Sequence, residues 1–174
     1  HDALPICNGS IQGPCEAKWG YSTLSVADWD QDGLPDIIMN GIWGKVVWYR
    51  NIGTRRQPRL TAARSVDVEW PGVSPKPAWT WWQPQDRELV TQWRTTPYVI
   101  DWNEDGLNDL VMLDHEGYLA FYERYRDNGR LRLKPPARIF TGKEVSIFDN
   151  RNRPQESRPG QPLQLNNAEG GSSG

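Results

Sequence analysis

The sequence predicts an all-β chain built from two small four-stranded antiparallel sheets, and three observations carry that expectation. A nine-residue stretch occurs twice, as Asp28-Trp29-Asp30-Gln31-Asp32-Gly33-Leu34-Pro35-Asp36 and as Asp101-Trp102-Asn103-Glu104-Asp105-Gly106-Leu107-Asn108-Asp109. An offset of 73 residues superimposes the copies without a gap from Asp28 to Arg50, and nine of those 23 positions are identical. Short apolar runs flank both copies, and no stretch of useful length has helical periodicity. Self-similarity at a fixed period marks stacked supersecondary units, each too small to bury its apolar face alone.

Taken in order, residues 1–20 form an irregular segment punctuated by Pro5, Gly9, Gly13 and Pro14. Cys7 and Cys15 bracket a turn-rich loop there, and a disulfide between them is expected in an oxidising compartment. The alternative is two reduced thiols, because spacing does not fix bond geometry. The first unit spans 21–66. One strand carries Leu24, Val26 and Ala27 into the acidic loop, and a second leaves it over Ile37–Asn40. A turn at Gly44 leads to a third strand, Lys45–Arg50, and a fourth is expected near Leu60–Val66. The third strand has apolar side chains on both faces, as a sheet packed between neighbours requires.

Residues 67–97 are an insert holding Trp70, Trp79, Trp81, Trp82 and Trp93 among Pro71, Pro75, Pro77 and Pro84, a proline density that argues against regular structure. The second unit, 98–140, repeats the plan, with Tyr98, Val99 and Ile100 entering the loop. Leu110–Leu113 leaves it, Tyr118–Glu123 follows the turn at Gly117, and a fourth strand is expected over Leu131–Phe140. A polar segment, 141–174, closes the sequence. Four strands per unit at this spacing suggest blades of a β-propeller, and a propeller has typically about four to eight blades. Two blades leave open edges, so the chain reads as part of a larger propeller whose remaining blades are its partners.

The doubled loop carries the chemistry. Oxygen side chains fall at positions 1, 3, 5 and 9, with Gly at position 6. Ca²⁺ is a hard cation taking about six to eight oxygen ligands, and alternating Asp/Asn in a tight loop turns such oxygens inward. Gly permits the sharp turn by tolerating positive φ. Asp28, Asp30, Asp32 and Asp36 are the side-chain candidates in the first loop. Asp101, Asn103, Asp105 and Asp109 are those in the second, and Leu34 and Leu107 offer carbonyls. An EF-hand is excluded, since position 12 holds Met39 and Met112 in place of Glu. The alternative is a pair of acidic surface turns without metal. Two Ca²⁺ ions are expected, the second site weaker because Asn103 is neutral.

Composition narrows the rest. A net charge of −2 and 24 % charged residues give no basic footprint for nucleic acid. No apolar run approaches the roughly 18 residues of a membrane span. Ten Trp are many for 174 residues. Trp29 and Trp102 recur in register and are expected to be structural. Trp79, Trp81, Trp82 and Trp93, with Arg94 and His115, are candidates for a ligand-facing surface, the competing role for the insert tryptophans being core at the junction of the units. His115 is the one interior histidine and is weighed as a general base or sugar contact against an ordinary turn residue.

The paired loops, their flanking strands and the Trp after the first Asp resemble the FG-GAP/VCBS repeats of integrin-like calcium-binding propellers, over about 21–66 and 94–140. The resemblance implies one ion in each loop, held by the residues named above, and a secreted, cell-surface or periplasmic protein. It further implies carbohydrate as a partner, with the chain a calcium-stabilised segment of a carbohydrate-binding or carbohydrate-processing protein. An adhesion module that binds protein is the alternative, and part of a polysaccharide lyase is another, although no catalytic set is identifiable.

Overall fold

The computed structural model describes residues 23–41, 43–77, 82–92, 94–142 and 160–166. Cys7, Cys15, Trp79, Trp81 and Trp93 lie outside the described residues, as do the segment 1–20 and most of 141–174. Among the described residues the chain is all-β, with no helix. It holds three antiparallel sheets of four, three and two strands, and none is closed.

The first sheet runs in sequence order through β1 (Thr23–Ala27), β2 (Asp36–Asn40), β3 (Val46–Tyr49) and β4 (Arg64–Ser65). Its second strand is buried on both faces, with Asp36, Ile38 and Asn40 fully inaccessible and Met39 nearly so. The second sheet is β5 (Tyr98–Ile100), β6 (Asp109–Leu113) and β7 (Leu119–Tyr122). The repeat holds to the residue: Ile37 opposes Tyr49 in one sheet, and Leu110 opposes Tyr122 in the other.

The fourth strand expected over Leu131–Phe140 is replaced by a hairpin of β8 (Arg124–Asp127) and β9 (Arg130–Leu133). Asn128 and Gly129 have φ of 48° and 77° at its turn, the left-handed pair that a two-residue hairpin favours. Pro135 and Pro136 then interrupt the run, since neither has an N–H to give a ladder. What that run keeps beside β7 is one bridge, in which Phe121 and Ala137 exchange both backbone hydrogen bonds at 2.9 and 2.8 Å, while the Leu119 N–H donates to the Leu163 carbonyl at 2.8 Å.

One apolar core serves both units. Trp29, Ile38 and Val46 of the first join Leu110, Met112, Tyr122 and Leu133 of the second, with Val66, Val68 and Leu89 between them. The insert is therefore part of the core. The Val68 N–H donates to the Arg87 carbonyl at 2.7 Å and the Leu89 N–H to the Val66 carbonyl at 2.8 Å, so its two ends run together as an extended pair. Trp70 packs against this core and donates from Nε1 to the Glu88 carbonyl. Glu88 is a junction: Lys45 Nζ and Ser65 Oγ donate to Oε1, and the Gln85 N–H donates to Oε2. Burial alone would raise its carboxyl, but these donors hold it below the usual range.

Candidate metal centre

Each acidic loop is built by its own carboxylates before any ion is considered. In the first, the Asp32 and Gly33 N–H groups donate to the two oxygens of Asp28 at 3.0 and 2.9 Å, and the Leu34 N–H donates to Asp32 Oδ1. In the second, Asp105 and Gly106 donate to Asp101 at 3.0 and 2.9 Å, and Leu107 donates to Asp105 Oδ1. The turn needs left-handed backbone at two places per loop: Gln31 and Glu104 at φ of 61° and 60°, and Gly33 and Gly106 at 90° and 86°. A β-carbon at either glycine would meet open space. The requirement for Gly is thus one of conformation and not of room.

Asp36 and Asp109 close the loops. Asp36 accepts from the Trp29 N–H at 3.1 Å and from the Asn51 N–H at 2.7 Å, so it ties the start of the loop to the end of β3. Asp109 repeats this with the Trp102 and Arg124 N–H groups at 3.0 and 2.7 Å. Both carboxylates are fully inaccessible. Burial raises the Asp109 carboxyl against the pull of those two donors.

The loops lie side by side. Asn108 donates to the Asp28 carbonyl at 2.7 Å and Gln31 to the Gly106 carbonyl at 2.6 Å, and Arg126 donates to Gln31. Arg124 is buried between them, its guanidinium 3.7 Å from the centre of the Trp29 ring, a cation–π contact. Burial lowers it to about 10, against the nearby Asp30 and Asp109 carboxylates. It stays charged at neutral pH and supplies positive potential to both loops.

The loops differ in convergence. Asp28, Asp30 and Asp36 each bring a carboxylate oxygen within 4.8 Å of the others, the one such acidic group among the described residues. Three carboxylate oxygens gathered this closely form a donor set for a hard cation. Asp30 Oδ1 is buried with no hydrogen-bond partner. Burial, then the neighbouring Asp36 and Asp32 carboxylates, raise the Asp30 carboxyl, although Arg50 opposes them. An orphaned oxygen and unrelieved repulsion both mark a place short of positive charge.

Asp32 stands apart from that trio. Its Oδ2 accepts from Arg50 Nη2 at 2.9 Å, and this hydrogen bond holds its carboxyl below the usual range. In the second loop the Asn103 amide donates to Asp105 Oδ2 at 3.1 Å and accepts from the Asp105 N–H, so the neutral residue links the loop internally.

The other candidates sit elsewhere. Trp82 donates to the Trp43 carbonyl at 2.7 Å and carries Lys45 Nζ 4.9 Å over its ring, which puts it against the turn of the first sheet. Arg94 is exposed at a left-handed position, φ 56°, its N–H donating to the Gly41 carbonyl. Trp29 is buried, while its repeat partner Trp102 is 46 % exposed and meets Phe140 edge-on at 5.3 Å.

His115 is half-buried edge-on to Trp70, ring centres 6.0 Å apart, and its Nδ1 has no partner. Beside it Asp114 is fully buried and takes a hydrogen bond from Arg138 Nε at 2.7 Å; Arg138 also pairs with Glu116 and lies 3.9 Å over the Tyr118 ring. Burial lowers the His115 pKa, and the pull of Asp114 and Glu116 upward does not cancel it. A depressed folded value means neutral His115 contributes stability above the unfolded pKa of 6.5, and the contribution is lost as pH falls through the folded value. Stability of the wild type should therefore fall below pH 6.5 more steeply than that of His115→Phe, read as the difference in urea midpoints at each pH. Parallel curves would show that His115 does not titrate on unfolding.

No family model, curated protein or solved structure matches the chain.

Proposed function

We propose that the chain is a calcium-stabilised β-sheet scaffold of the propeller type, with the first acidic loop as its best-formed metal site. The observation that carries this is the convergence of Asp28, Asp30 and Asp36 with an unpartnered Asp30 oxygen among them. Leu34 would add its carbonyl and Asp32 a fourth carboxylate. The ion would supply the positive charge the cluster lacks and pin the turn between β1 and β2. The second loop shares the backbone hydrogen bonds and would take a second ion through Asp101, Asn103, Asp105, Leu107 and Asp109.

The blade-like reading rests on how the units meet. The first strands of the two sheets approach each other, the Val99 N–H donating to Ser25 Oγ at 3.4 Å, and the acidic loops share one edge. Trp29 is covered by Arg124 of the following unit, whereas Trp102 lies 46 % exposed. A further unit packed in the same way would cover Trp102. The resemblance extends the proposal to a secreted, carbohydrate-directed protein, for which exposed Trp102 and Tyr98 offer aromatic faces.

Melting the chain in chelator and in Ca²⁺ tests the scaffold role. A ligand at a hundred times its Kd stabilises the folded state by about 2.7 kcal/mol, which raises the Tm of a domain this size by roughly 5–10 °C. Mg²⁺ at the same concentration should do much less. Asp30→Asn, which leaves the Asp28 and Asp36 acceptors of the loop in place, should weaken binding about tenfold or more. Equal melting temperatures with Ca²⁺ and with chelator would rule the proposal out.

A further inference from the structure

The first loop carries a cation of its own. Arg50 stands at the end of β3 with Nε 2.6 Å from Asp30 Oδ2 and Nη2 2.9 Å from Asp32 Oδ2, so one guanidinium spans two candidate ligands. It does not satisfy the cluster: Asp30 Oδ1 is still unpartnered, and Asp28 and Asp36 give their oxygens to backbone N–H groups. The Arg50 side chain is 37 % exposed. It can therefore leave the carboxylates for water at low cost, unlike the buried Arg124.

The repeat supplies the comparison. One period of 73 residues on, the position of Arg50 is taken by Glu123. That carboxylate pairs with Lys134 Nζ at 2.6 Å. The loops share the turn glycines, the closing aspartate and the neighbouring Arg124. They differ in charge at Asn103, at Glu104 in place of Gln31, at Arg55, which donates to the Gly33 carbonyl, and at this position, the one of these whose first-loop residue is a cation ion-paired with candidate ligands. An arginine that joins Asp30 to Asp32 holds two ligands in the arrangement a metal must undo.

Resting on the calcium reading above, we infer that Arg50 is a built-in competitor of the first site: its guanidinium and a divalent cation take Asp30 and Asp32 in turn. The arginine keeps the metal-free loop folded and makes the first site weaker than its four carboxylates alone would give. Two ligands that exclude each other at shared groups are coupled, typically by about five- to a hundredfold in affinity. Loading the ion should release the guanidinium to solvent.

The test is a calorimetric titration of the full chain with CaCl₂ from chelated protein, wild type against Arg50→Met. The variant should bind about fivefold or more tightly in one of two steps, the other step serving as internal reference. Its Tm should fall in chelator and match the wild type in saturating Ca²⁺. Arg50→Lys, which keeps charge but cannot bridge two carboxylates, should lie between them and carries the test if Arg50→Met does not fold without metal. Glu123→Arg should weaken the second step. Heat in both proteins with unchanged or weaker affinity in Arg50→Met and Arg50→Lys overturns the competitor role while leaving the calcium site standing. No heat in either overturns both.

Discussion

Asp36→Ala should cost the chain about 2–5 kcal/mol even in chelator, because it strips the acceptor from two buried N–H groups at roughly 1–3 kcal/mol each. The groups are those of Trp29 and Asn51, and the carboxylate joining them is fully inaccessible. Their loss would detach the acidic loop from the end of β3. Asp36→Asn retains one acceptor oxygen and should lose about half as much. Urea denaturation of the three proteins in chelator measures this directly. A loss under about 1 kcal/mol for the alanine would mean that water reaches both N–H groups. Asp109→Ala should behave alike, since the Trp102 and Arg124 N–H groups depend on it in the same way. The closing aspartate is thus a staple of the fold as well as a candidate ligand.

The second large effect lies at Tyr122, whose side chain is fully buried in the common core. Tyr122→Ala should cost about 3–5 kcal/mol, the range for removing a large aromatic from a packed interior. Tyr122→Phe should be neutral or stabilising by up to about 1 kcal/mol, because the buried hydroxyl has no hydrogen-bond partner to lose. Burial, reinforced by the Asp114 carboxylate, pushes the phenol well above its ordinary value, so it stays neutral throughout. A loss above 1 kcal/mol in the phenylalanine variant would show that a water bridges the hydroxyl to its polar neighbours. Thermal or urea unfolding at pH 7 distinguishes the outcomes.

The acidic loops were legible in the sequence because their determinants are local. Asp at the first position meets the N–H groups four and five residues on, and Asp at the ninth meets the N–H seven residues back. A repeat of such residues repeats the turn, and the structure returns the same hydrogen bonds 73 residues later. The first sheet keeps its strands in sequence order, each pairing with the next along the chain. The β8–β9 hairpin was written in Asn128-Gly129 and lost to the assumption that the second unit would copy the first.

Other features depend on contacts that no local pattern encodes. Leu24 and Val26 look like core residues of an alternating strand, yet they are 51 and 59 % exposed, while Thr23 and Ser25 turn inward to Thr95 and Val99. Strand period fixes only that neighbours point to opposite faces; the packing of another sheet decides which face is inside. The insert gave Val68 and Leu89 to the core because the first sheet's edge needed covering, a requirement that arises only once the sheets exist. The charge around the metal loops was decided in the same way. The sequence by itself placed the oxygens, but only the folded chain set Arg50 against two of them and Glu123 against Lys134, since each arrangement joins residues brought together by strands pairing in space.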